Sequence, residues 1–152
     1  MDIKIKKYAS AIFENELFLL EISLKKLTIN YNEYLAMCHM DNKDGVSSDM
    51  IHSSLVNLQS VCIMQTKDRY INMSTLEKLK NTLVFRITID LPYSGQATVE
   101  CTLLTNPKYH SSEEDTLSNA LKKFNEVEGR DPDIMKYFDE KSDFDEPEIT
   151  IN

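Results

Sequence analysis

FENELFLLEISLKKLTINYNEYLAMC, residues 13–38, is the stretch on which the fold turns. Phe13, Leu17, Leu20, Leu24, Leu27, Tyr31, Tyr34 and Cys38 follow one another at alternating steps of four and three, and no glycine or proline occurs before Gly45. A sustained four-three pattern describes a helical seam, a stripe that must pack against something. Phe18, Leu19, Ile22 and Ile29 lie off that stripe, so the apolar surface is broader than a zipper and suits a bundle or core helix. A second reading is two strands. Phe18, Leu20, Ile22 and Leu24 alternate with Glu21, Ser23 and Lys25, Leu27, Ile29 and Tyr31 alternate with Thr28 and Asn30, and Thr28–Asn32 is poor helix material. No turn signal stronger than Lys25-Lys26 separates the two runs, so the spacing is read as helix.

Downstream, Asp41-Asn42-Lys43-Asp44-Gly45 reads as a loop, after which Ser47 or Ser48 can cap a helix with Asp49 in its first turn. Ile51, Leu55, Leu58 and Cys62 repeat the spacing, which predicts an N-terminal helical hairpin with facing seams. Ser74-Thr75-Leu76-Glu77 matches a capping box and predicts a short helix to about Leu83. The period then becomes two. Phe85, Ile87, Ile89 and Leu91 precede Pro92-Tyr93-Ser94-Gly95, and Ala97, Val99, Cys101 and Leu103 follow it: a β-hairpin whose wet face places Arg86 and Thr88 near Glu100 and Thr102. Ser112 to Gly129 and Asp131-Pro132 onward predict two C-terminal helices, carrying Leu117, Leu121 and Phe124, then Ile134, Tyr137 and Phe138.

The net charge of −8 is not spread evenly. Residues 113–152 hold thirteen acids against five bases, whereas residues 1–112 hold twelve of each. The acidity therefore belongs to the C-terminal quarter, which would repel a phosphate backbone and argues against direct nucleic-acid binding. Three scattered cysteines, Cys38, Cys62 and Cys101, suit a reducing compartment. There is no signal-peptide pattern and no run of about 20 apolar residues. These features lead to the expectation of a soluble protein, intracellular, in cytoplasm or nucleus, with no membrane contact.

The chemistry-bearing residues form no motif. Cys38, His39, His52 and Cys62 could converge in a helical hairpin, but their spacings match no usual zinc pattern. Three isolated glycines cannot make a phosphate loop, and no nucleophile sits in a recognisable elbow. We therefore expect no metal, no cofactor and no enzymatic activity. The chain reads as α+β, a single domain over 1–138 followed by an acidic, unstructured tail over 139–152. A helical front before a small α+β unit, over residues 10–130, resembles in layout alone the coiled-coil-plus-RWD arrangement of kinetochore adaptors.

The expected role is protein–protein interaction, with a protein partner or a second copy. Phe13, Leu17, Leu20, Leu24, Leu27, Tyr31 and Tyr34 would supply one contact, and Phe144, Glu146, Ile149 and Ile151 of the tail another. The alternative is an inhibitor or immunity-type protein whose acidic end blocks a basic or nucleic-acid-binding site.

Overall fold

The structure is a computed structural model that describes residues 3–15, 18–41, 45–68, 77–78, 82–106 and 143–152, with Asn119, Lys122 and Glu126. The described residues form eight strands, β1 (Ile3–Lys7), β2 (Ser10–Glu14), β3 (Phe18–Thr28), β4 (Glu77–Lys78), β5 (Thr82–Leu91), β6 (Gly95–Thr105), β7 (Asp143–Asp145) and β8 (Glu148–Ile151). Two helices, α1 (Tyr31–Asp41) and α2 (Ser48–Asp68), complete the list. Six strands make one antiparallel sheet in the order β4-β5-β6-β3-β2-β7, and β1 pairs with β8 in a separate ribbon.

The expected helical hairpin and its coiled-coil seam are therefore corrected to strands over residues 10–28, and the adaptor-like layout goes with them. Alternation decided the outcome. Phe18, Leu20, Ile22 and Leu24 are buried on one face of β3, while Glu21 and Lys25 are exposed. A strand paired on both sides buries such a face completely, which a lone amphipathic helix cannot do. Two rungs of the supposed seam, Phe13 and Leu20, are cross-strand partners, as are Ala11 and Ile22. The register slips between Leu24 and Lys26, and this bulge shifts the side-chain parity so that Leu27 again faces the core.

The reversal between β2 and β3 needs neither glycine nor proline. Asn15 donates its N–H to the Phe18 carbonyl at 3.0 Å, and its Oδ1 accepts the Phe18 N–H at 2.8 Å. An asparagine side chain that mimics a backbone turn is a known device, but it is inconspicuous in a sequence.

The β5–β6 hairpin forms as expected, except that Thr102 stands opposite Val84 and not near Thr88. Arg86 stands opposite Glu100, with its Nε 2.9 Å from Oε2, and Thr88 stands opposite Thr98. Both helices are capped from the preceding residue. The Asn30 side chain accepts the Glu33 N–H at 3.2 Å, and the Ser47 hydroxyl accepts the Met50 N–H at 3.2 Å. α2 lays Cys62 and Ile63 into the sheet core and holds Gln59, whose Oε1 accepts the Ala9 N–H at 3.0 Å. Lys67, buried at the end of α2, places its ammonium 5.3 Å from the Phe13 ring centroid, a cation–π contact.

Residues 143–152, expected to be an unstructured tail, instead carry two strands. β7 pairs with β2, and β8 pairs with β1 so that Ile3 meets Ile151 and Ile5 meets Ile149. Their isolated hydrophobics alternate with acids, which is a strand pattern as much as a solvated one. The capping-box helix expected over 75–83 is replaced at Glu77–Lys78 by β4 and from Thr82 by β5. The two C-terminal helices expected over 112–138 fall outside the described residues, apart from the exposed Asn119, Lys122 and Glu126. Among the described residues, no helix is long and apolar enough to cross a membrane.

Candidate functional site

α1 and α2 are joined at the tip of the β5–β6 hairpin by a small cluster in which Tyr34, Ile51 and Leu55 are buried. The tip is an unusual backbone. Tyr93 and Ser94 have φ of 62° and 57°, consecutive left-handed residues without glycine's freedom. Each such residue costs about 1–2 kcal/mol, so neighbouring contacts must hold them. The Asn30 N–H donates to the Tyr93 carbonyl at 3.1 Å, and the Ser94 hydroxyl donates to Glu33 at 3.0 Å. The Tyr93 ring meets the Tyr34 ring edge-on, with centroids 5.3 Å apart. Gly95 completes the lock, since a Cβ there would lie 2.6 Å from the Thr28 carbonyl oxygen. The tip is thus clamped to the start of α1.

Between these elements lies a cleft of ≈ 330 Å³. Tyr34 and Cys38 line it from α1, Ser54, Asn57, Leu58, Val61 and Gln65 from α2, and Asp90 to Tyr93 from the hairpin. The Tyr34 hydroxyl is buried and makes no hydrogen bond of good geometry. Burial pushes its pKa up to about 12, with Cys38 and Tyr93 adding to the rise and Ser54 opposing it.

Exposed apolar side chains stand on both helices that wall the cleft. Val61 lines it directly at 41% exposure, and Met64 follows one turn later. Met37 lies one turn after Tyr34, and Met40, 76% exposed, stands beyond it. A second, larger cavity of ≈ 540 Å³ is lined by Ile3, Lys4 and Ile5 of β1, by Leu27 to Ile29 and Tyr31, and by Leu55. Its walls are mostly aliphatic.

The residues singled out in the sequence are dispersed. Phe13, Leu20 and Leu24 are sealed in the sheet core, with Leu27 and Phe144 half-buried against it. Tyr31, Ile149 and Ile151 are half-buried in the small cluster, Glu146 is exposed, and Leu17 lies outside the described residues. Of that set, Tyr34 is the one that lines the cleft. Met37, Met40, Val61 and Met64 were missed. Their signal was their position off both apolar seams, which marks a helix face with nothing assigned to cover it.

The metal candidates also separate. Cys62 is buried in the sheet core and Cys38 half-buried in the small cluster, while His39 and His52 are exposed. Among the described residues, no three His, Cys, Asp or Glu gather where an ion could sit. Cys101 is buried in β6, and burial, followed by the charge of Glu100, pushes its thiol up to about 12. Such a thiol is held protonated. The chain matches no protein-family model, no curated protein and no solved structure to which it was compared.

Proposed function

We propose that this chain is a protein-binding module that works by association and not by catalysis, and that the cleft between α1, α2 and the hairpin tip is its recognition site. The observation that carries this reading is a cleft lined by the exposed Val61 and the buried Tyr34, between two helices that also expose Met37, Met40 and Met64. Methionines adapt their shape to a partner and suit peptide recognition. Glu33 at the hairpin end and Asp90 in the lining favour a partner segment that joins apolar anchors to basic residues.

Selection of random displayed peptides on the immobilised full chain tests the reading. Enrichment of sequences that combine large apolar residues with Lys or Arg is expected. A selection that enriches nothing above background, or enriches acidic sequences, contradicts it.

A further inference from the structure

β1 and β2 follow one another in the chain but take different partners. β2 runs beside β3, and the Leu24 N–H donates to the Ala9 carbonyl at 2.9 Å where that pairing begins. Before Ala9 the chain leaves β3 to pair with β8, and after Leu24 the bulge alters the course of β3. The two segments splay, and the space between residues 3–5 and residues 27–29 is the cavity of ≈ 540 Å³. Its lining is graded in depth. Leu55 of α2, buried, makes the floor, half-buried aliphatics such as Ile5, Leu27 and Ile29 make the walls, and the exposed Lys4 and Thr28 stand at the mouth.

We propose that this cavity binds an aliphatic carboxylate, a free fatty acid, with its chain against the walls and its carboxylate at Lys4. An apolar cavity of about 150 Å³ takes a six-carbon ring, so this one has room for a chain of about a dozen carbons. Water gains little in such a space, where it meets few polar partners. A hydrocarbon chain gains about fourfold in affinity for each methylene it withdraws from water. The charge at the mouth selects the head. Among the described residues that line the cavity, Lys4 alone is charged, and its flexible stem can carry the ammonium to a carboxylate that stays partly hydrated.

The surroundings carry the same sign. Lys6 and Lys26, each next to a lining segment, are exposed, and the acid of β8, Glu148, stands opposite Lys7, beyond that segment. A cationic amphiphile would therefore meet like charge at the mouth, and a peptide would bring unpaired backbone polar groups into the aliphatic space. The proposal goes beyond the cleft reading and does not rest on it. The cleft has Asp90 in its lining and favours a basic partner, whereas this cavity has a lysine and favours an acid.

Equilibrium dialysis of the full chain against dodecanoate, kept below the concentration at which it forms micelles, tests the proposal. One site per chain is expected, tighter than for octanoate by about tenfold or more. Lys4→Glu should weaken dodecanoate by about tenfold, while dodecanol, which has the chain without the charge, should bind as before. Ile5→Trp fills the cavity and should abolish binding of both. If that variant fails to fold, Thr28→Trp at the exposed mouth should give the same loss. Val61→Glu, in the cleft, should leave dodecanoate binding unchanged. Absence of dodecanoate binding overturns the proposal, and so does uptake of many equivalents per chain, as on a surface. Binding that ignores Lys4→Glu, survives the tryptophan variants or is lost with Val61→Glu overturns it as well.

Discussion

Among the described residues, fifteen buried side chains from Ala9 to Leu103 fill the cluster under the six-stranded sheet, whereas the cluster beside α1 buries three, Tyr34, Ile51 and Leu55, in a shell of half-buried neighbours. The first is drawn from β2, β3, β5, β6 and α2, and its strands are paired along their length. The second gathers short contributions from β1, β8, both helices and the hairpin tip, which carries two left-handed residues. The difference separates what holds the chain together from what it can offer a partner. Local strain is tolerated where a rigid scaffold over-determines the backbone, and such places concentrate at binding surfaces.

Breaking the sheet cluster should have the largest effect. Leu20→Glu or Leu24→Glu buries an unpaired charge in the middle of β3 and should abolish the folded state, read as loss of the thermal transition. Leu20→Ala should cost about 2–5 kcal/mol in denaturant titration. If either glutamate variant stays folded and only loses assembly, the ladder is an outside surface and not a core.

Alkaline titration distinguishes the two clusters next. The Cys101 thiol is raised from 9.0 to about 12, so the folded state keeps a proton that the unfolded chain releases first. Its contribution is fully present below pH 9 and is lost as pH rises toward 12, at a slope on the order of 1.4 kcal/mol per pH unit. Tyr34, raised from 10.0 to about 12, adds a second loss that begins one unit higher. Cys101→Ala should flatten the stability–pH curve from pH 9, and Tyr34→Phe should flatten it only from pH 10. Curves parallel to that of the unaltered chain would contradict the burial assigned to these groups.

Gly95→Ala probes the clamp between the hairpin tip and α1. Its methyl would meet the Thr28 carbonyl and the Ile29 side chain, so about 1–3 kcal/mol should be lost. Hydrogen exchange should report faster opening at Asn30 to Tyr34 than in β3. Tyr34→Phe should have the smallest effect, within about 0.5 kcal/mol of neutral at pH 7, because it removes a buried hydroxyl that makes no hydrogen bond of good geometry.

The hairpin of residues 85–103 was legible because its alternation is strict and a proline–glycine turn divides it. The Ser47 cap and the helix through Ile51, Leu55 and Cys62 were legible for similar reasons. Residues 13–28 were not. Their strand alternation coexists with a four-three spacing, because the bulge after Leu24 changes side-chain parity and Asn15 turns the chain without glycine or proline. The pairing of β1 with β8 joins residues almost the whole chain apart, and no local pattern encodes such a contact. Tyr34, Cys38 and Leu58 of the apolar spacings reach the cleft, whereas Val61 lies off them, because its place depends on which helix faces the sheet leaves uncovered.

The central claim is that the cleft and the exposed apolar side chains of the helices that wall it, and not the apolar ladder, are what the molecule offers to a partner. The affinity of a peptide selected on the chain, measured by calorimetry against a Val61→Glu, Met64→Glu double variant, tests it most directly. Both side chains are about two-fifths exposed, so the variant should melt within about 2 °C of the unaltered chain while binding the peptide at least tenfold more weakly. Unchanged affinity in a fully folded variant would contradict the account.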